Sequence, residues 1–83
     1  MHNFKKMKIW VESISLVSET YKITRDFPDF EKFGLVSQMN RCAVSIPSNI
    51  AEGPSKSSNK HFNQYLETAM GSSFELETQL IIA

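Results

Sequence analysis

Hydrophobic residues recur along the chain at intervals of three and four, which predicts helices and gives no convincing strand alternation. In the first stretch, four apolar residues follow one another at intervals of four, three and four: Trp10, Ile14, Val17 and Tyr21. This seam predicts a helix over residues 4–26. Pro28 ends it, because a proline disfavours helical backbone in the residue before it.

The second stretch predicts a helix over residues 29–53, with Asp29 as its N-cap and a kink or short break at Gly34. Beyond the glycine, five apolar residues keep the phase of a bundle helix: Val36, Met39, Ala43, Ile46 and Ile50. This phase continues through Pro47. A loop has no reason to keep helical phase, so the polar segment around the proline is predicted to be a kinked helix that ends at Gly53. It is not predicted to be a catalytic or phosphate-binding loop.

A turn after Gly53 leads into a third predicted helix over residues 58–83, capped by Ser57, Ser58 or Asn59. Its seam is regular: Phe62, Leu66, Ala69, Ser73, Leu76, Leu80 and Ala83. Small residues around Gly71 predict a waist at which a neighbouring backbone approaches closely. Together the seams predict a single all-α domain over residues 1–83, an antiparallel up-and-down bundle. They also leave one apolar face that a fourth helix or a partner subunit would cover.

Composition narrows the possible functions. A chain of 83 residues buries a modest core, and Cys42 as the only cysteine excludes an internal disulfide. Oligomerisation is therefore predicted to stabilise the small domain. The single thiol favours a reducing, cytoplasmic location. His2 and His61 lack ligands at metal-binding spacing, so no metal or cofactor is predicted. No apolar run is long enough to span a membrane.

The charges balance to a net value of zero, so the net charge predicts no general electrostatic attraction to nucleic acid. Basic residues still concentrate near predicted helix ends, and six are candidates for phosphate contacts: Lys5, Lys6, Lys8, Arg25, Lys56 and Lys60. Three of them, Arg25, Lys56 and Lys60, are expected to meet where the first helix ends and the third begins. The alternative is that these side chains are simply solvated at helix ends.

Polar residues of the second helix form a stripe at intervals of three and four: Gln38, Arg41, Ser45, Ser48 or Asn49, and Glu52. One hypothesis makes it a catalytic site, with Arg41 binding an anion and Glu52 acting as a base. The other makes it a structural flank that bonds to neighbouring helices or turns. The sequence contains no recognisable nucleophile–base pair, Glu-x-x-His pair or glycine-rich phosphate loop, so the structural hypothesis is favoured and no enzyme or small-molecule substrate is predicted.

Two segments, "FPDFEKFGLVSQMNRCAVSIPSNIAEG" and "FNQYLETAMGSSFELETQLIIA", resemble the four-helix-bundle family known as 23S rRNA-intervening sequence proteins. Members typically run F-P-x-x-E-x-F-G-L, then Q-x-x-R-A-x-x-S-I-x-x-N-I-A-E-G, then L-x-x-A-x-G-S-x-x-E-L-x-T-x-L. The matching positions are Phe27, Pro28, Glu31, Phe33, Gly34, Leu35, Gln38, Arg41, Ser45, Ile46, Asn49, Ile50, Ala51, Glu52, Gly53, Ala69, Gly71, Ser72, Glu75, Leu76, Thr78 and Leu80. Cys42 departs from the pattern, since relatives often have alanine there.

The resemblance implies a four-helix bundle that assembles into ring-shaped pentamers and has no known catalytic activity. Relatives continue into a fourth helix, so the chain is expected to be incomplete at its C-terminus. The leading hypothesis is a non-enzymatic, oligomeric interaction or scaffold module, with a protein partner. The alternative is a nucleic-acid-associated accessory protein, as in the branch of the family that accompanies reverse transcriptases.

Overall fold

The computed structural model describes residues 7–53 and 58–83, and these form three α-helices and no strand. In chain order the elements are α1 (Lys8–Arg25), a 3-10 turn (Asp29–Glu31), α2 (Leu35–Glu52) and α3 (Asn59–Ile82). The all-α prediction is confirmed. Residues 4–6 of the predicted first helix and 54–57 of the predicted turn lie outside the described residues.

Helix α2 lies in the centre and is antiparallel to both of its neighbours. Near the end of α1, the Thr24 hydroxyl donates to Asn40 Oδ1 early in α2 at 3.0 Å. On the other side, the Cys42 thiol donates to the carbonyl of Ser72 in α3 at 2.9 Å. Because each helix reverses the direction of the one before it, α1 and α3 run parallel to each other with α2 behind them.

Helix α1 packs on α2 through small hydroxyl side chains. Its buried residues are Ser13, Thr20 and Thr24, and each places its hydroxyl within hydrogen-bonding distance of a carbonyl of its own helix. The predicted seam is confirmed only in part: Trp10 and Val17 pack partly buried against the core, whereas Ile14 is 43% exposed and Tyr21 is 47% exposed. The apolar side of α1 is wider than its contact with α2. Its large apolar residues therefore lie on both sides of the hydroxyl seam, which is formed by Ser13, Thr20 and Thr24.

Helix α2 begins later than predicted. Asp29 does not cap it, because the chain first makes the 3-10 turn and α2 starts after Gly34, which occupies the N-cap position. The predicted break at Gly34 is confirmed. The helix then continues through Pro47 and ends with Gly53 as C-cap, as predicted. The expected kink at the proline stays a prediction.

The apolar core is small and comes mainly from α2. Its buried members are Met39, Cys42, Ala43, Ile46, Ile50, Ala69 and Leu76. Helix α3 adds two of these and α1 adds none, although Trp10, Leu16 and Val17 pack partly buried against them. The second seam was thus predicted correctly at Met39, Ala43, Ile46 and Ile50.

Helix α3 begins as predicted, since the backbone N–H of His61 donates to the Ser58 hydroxyl at 3.2 Å. The expected waist is confirmed only in part. At Ser72 the two helices approach closely enough for a side chain to reach the backbone carbonyl. Gly71 is different: it is exposed, and a Cβ built there meets no atom within 4 Å. Close packing inside the subunit does not explain this glycine.

Candidate functional site

A polar cavity of about 350 Å³ opens where α2 crosses α3. Its lining consists of Gln38, Arg41, Cys42, Ser45, Ser72 and Glu75. The structure thus brings together Gln38, Arg41 and Ser45 of the predicted polar stripe with Ser72 and Glu75, two polar positions of the family motif. Asn49 and Glu52 do not line this cavity.

The floor of the polar cavity is a set of short hydrogen bonds that join the two helices. The hydroxyls of Ser45 and Ser72 lie 2.7 Å apart, and Ser45 also donates to the carbonyl of Cys42 at 2.8 Å. Small side chains at this level let the helices approach, and their polar atoms bond across the gap. These bonds satisfy groups that burial would otherwise penalise, which favours the structural hypothesis for the two serines.

Cys42 is a buried, free thiol at the edge of this set, 7% exposed. Burial raises the pKa of the Cys42 thiol, and the negative charge of Glu75 raises it further. The thiol therefore stays protonated at neutral pH and donates to the Ser72 carbonyl. A thiol in this state is a poor nucleophile, because the thiolate is the reactive form.

The proposed catalytic group of Arg41, Asn49 and Glu52 does not converge. The Asn49 amide donates to the carbonyl of Ser45 in its own helix at 2.7 Å, and of the three only Arg41 lines the polar cavity. Over residues 7–53 and 58–83, no ion pair within 4.0 Å joins Arg41 to Glu75 across the cavity. No three His, Cys, Asp or Glu side chains in those ranges are placed to hold a metal ion.

The sequence pattern did not lead us to predict one buried polar residue of α3. Gln79 is only 6% exposed; its amide nitrogen lies 3.4 Å from Glu75 Oε1, and its Oε1 has no partner among the described atoms. Gln79 follows Leu76 by three residues and so lies on the packing face of α3. That spacing could have predicted its burial.

The candidate nucleic-acid residues divide between the two ends of the molecule. Arg25 ends α1, whereas Lys60 lies in the first turn of α3, and the antiparallel topology places these helix ends on opposite sides. The expected proximity of Arg25 and Lys60 is therefore wrong. Lys60 shares its end with the start of α1, where Lys8 forms an exposed ion pair with Glu12 at 3.9 Å. Lys5, Lys6 and Lys56 lie outside the described residues.

Apolar surfaces also lie along the helices. The α1–α2 flank is a hollow of about 310 Å³ lined by Trp10, Ile14, Val17, Val44, Pro47, Ser48 and Ala51. The central groove, of about 420 Å³, lies between α1 and α3 over α2, with Ile9, Leu16, Ile46, Ile50, Leu66 and Met70 among its lining residues. The α3 ridge consists of Met70, Phe74 and Ile81, all exposed. Phe74 and Met70 are absent from the predicted seam of α3.

None of the helices, over the part of the chain that the structure describes, is both long and apolar enough to cross a membrane. In a comparison with known protein families, the family model described as 23S rRNA-intervening sequence protein matches residues 5–83. Comparison with curated proteins gives no match.

Proposed function

Because the chain belongs to the 23S rRNA-intervening sequence protein family, we propose that it is a non-enzymatic module that self-associates and acts as an interaction scaffold. The observation that carries the proposal is the amount of apolar surface on the outside of α1 and α3. Exposed apolar side chains on the two helices include Ile9, Ile14, Tyr21, Ile23, Met70, Phe74 and Ile81. Contiguous exposed apolar surface on a small domain is typical of a site for another macromolecule.

The polar cavity supports a role without catalysis. Its two serines bond to each other and its thiol is held protonated, so neither is poised as a nucleophile. Arg41 and Glu75 give the cavity one charge of each sign, which suits a polar contact with a partner. The scaffold is proposed to be a homo-oligomer, with the pentamer that the family resemblance implies as its expected size, and to work in the cytoplasm.

The test is the mass of the chain in solution, measured by light scattering at low and moderate salt, with absorbance recorded at 260 and 280 nm. A defined oligomer with a protein-like absorbance ratio is the expected result. A monomer at all concentrations, together with no protein partner retained in a pull-down, would overturn the scaffold proposal.

A second candidate function, association with nucleic acid, is favoured by the topology. The starts of α1 and α3 lie at the same end, which brings Lys8 and Lys60 to one side of the molecule. Lys5, Lys6 and Lys56 adjoin these helix starts in the sequence. A basic cluster of this kind binds phosphates with an affinity that falls steeply with salt.

This second function predicts that Lys8→Ala with Lys60→Ala weakens binding to a single-stranded RNA oligonucleotide and flattens its salt dependence. Arg25→Ala at the opposite end is the matched control and should leave both unchanged. Equal effects of the double change and the control, or binding that ignores salt, would reject the basic end as the binding site.

A further inference from the structure

We infer that copies of this chain associate head to tail, with the α3 ridge of one copy seated in the α1–α2 flank of the next. The inference rests on the proposed self-association and names the two surfaces that carry it. They are different surfaces of the subunit, so each copy that uses one keeps the other available. Such an interface either closes into a ring or grows into a filament.

The first argument is the matching geometry of the two surfaces. Three members of the flank lie on α1 at the spacing of a helix–helix seam, and Tyr21 extends them by one turn: Trp10, Ile14, Val17 and Tyr21. The ridge residues Met70, Phe74 and Ile81 follow one another at intervals of four and seven, so they lie on one side of α3. Each row covers about 16 Å of helix. The lining of the flank includes the small residues Pro47 and Ala51, whereas the large side chains of the ridge are exposed. A ridge in a groove is the ordinary way in which helices pack.

The α1 row is only partly used inside the subunit. Trp10 and Val17 pack partly buried against the core, whereas the fully buried residues of α1 are those of the hydroxyl seam described above. Ile14 and Tyr21 remain nearly half exposed. An apolar row that its own fold leaves partly in solvent is a surface on which another helix gains by packing.

The second argument is charge. Along the ridge, Glu67 precedes Met70 by three residues and Glu77 follows Phe74 by three, so acidic side chains border it. The flank has one basic residue at its border, since Arg25 follows Tyr21 by four residues. Glu67, Glu77 and Arg25 are exposed, and over the described ranges none of them forms an ion pair within 4.0 Å. Complementary borders steer two surfaces together and fix their register.

The third argument is area. Phe74 is 63% exposed, and Met70 and Ile81 are exposed to a similar or greater degree, so the ridge offers about 300–400 Å² of apolar surface on the scale of large side chains. Ile14, Tyr21 and Val44 with the half-buried Trp10 offer about 300 Å² more on the flank. Since apolar atoms form a little over half of an interface, the total is about 1,000–1,200 Å². That reaches the lower limit for a specific association.

The closing experiment uses Glu substitutions on the two surfaces. Phe74→Glu on the ridge and Ile14→Glu on the flank should each raise the apparent dissociation constant of the oligomer at least about tenfold, because each places a charge in an apolar contact. Phe30→Glu is the matched control: Phe30 is 82% exposed and belongs to neither surface. It should leave the oligomer unchanged. Helix content by circular dichroism monitors the fold of each variant.

A cross-linking measurement keeps the inference testable should Ile14→Glu disturb the subunit. In a Cys42→Ala background, chains with Phe74→Cys are mixed with chains carrying Ile14→Cys and treated with a short bis-maleimide. A head-to-tail contact predicts mixed cross-links in preference to pairs of either kind alone. Phe74→Cys chains that cross-link to one another would overturn the inference, as would an oligomer that both Glu substitutions leave intact. A wild-type chain that is monomeric would instead overturn the proposed self-association itself.

Discussion

At the scale of single residues, Cys42 shows how one polar atom joins two helices. Its thiol is buried against α3 and donates to the Ser72 carbonyl, a group already inside a helix. The bond joins α2 to α3 and lies beside the hydroxyl contact of Ser45 with Ser72. We therefore expect the side chain at this position to affect stability through hydrogen bonding as well as through volume.

Replacing Cys42 separates these two contributions. Cys42→Ala removes the donor and the sulfur volume, and should lower the free energy of unfolding by about 1–2 kcal/mol. Cys42→Ser keeps a donor within reach of the same carbonyl and should lose less. Urea denaturation of both variants measures the difference. Equal losses would show that the thiol contributes only volume.

The raised pKa of the Cys42 thiol makes a second prediction at this scale. A folded-state pKa above the unfolded one gives stability that is complete below the unfolded value, about 8.5, and is lost as pH rises through the folded value. The free energy of unfolding should therefore fall above that pH by up to about 1.4 kcal/mol per pH unit. Cys42→Ser should lack this component. A wild-type curve parallel to that of Cys42→Ser would contradict the assignment.

At the scale of elements, the helices could be predicted from the sequence but the orientation of α1 could not. The helical phase through Pro47 and the cap at Ser58 are local properties of the sequence. They therefore predicted the continuation of α2 and the start of α3 correctly. The apolar residues of α1 extend over about half of its circumference, and period alone does not say which part of a wide arc faces the neighbour. Ser13 and Thr20 can be buried there because their hydroxyls bond to carbonyls of their own helix.

The polar cavity was likewise predictable as a stripe but not as a site. Intervals of three and four placed Gln38, Arg41 and Ser45 on one side of α2. Only the crossing with α3 decides that Ser72 and Glu75 join them while Asn49 turns back to its own helix. That crossing depends on long-range packing, which a helical period does not encode.

Gly71 gives a prediction for α3 as an element. The glycine lies in the helix interior, faces open space and does not line the polar cavity. Gly71→Ala should therefore raise the free energy of unfolding by about 0.5–1 kcal/mol, because alanine has the higher helix propensity. Gln64→Gly at another exposed position of α3 is the inverse control and should lose a similar amount. Destabilisation by Gly71→Ala would indicate a close neighbour at this position in the assembled protein.

At the scale of the whole molecule, the small core and the apolar exterior have a common consequence. The described ranges contain seven buried hydrophobic residues, five of them from α2, while the exposed large hydrophobic side chains outnumber them. A domain of this size has a small free energy of unfolding when its core is small. Association that covers the α3 ridge and the α1–α2 flank would add to that stability, because a partner that binds only folded chains shifts the folding equilibrium.

Thermal unfolding should therefore depend on protein concentration. When folding and assembly are coupled, each tenfold rise in concentration adds up to about 1.4 kcal/mol. For a domain of this size, 1 kcal/mol shifts Tm by about 4–8 °C. We expect Tm of the wild-type chain to rise by several degrees per tenfold step in differential scanning fluorimetry, whereas Tm of Phe74→Glu stays nearly constant. A wild-type Tm that does not change with concentration would mean that the three helices obtain their stability within one chain, and that the exposed apolar side chains serve contacts with other molecules.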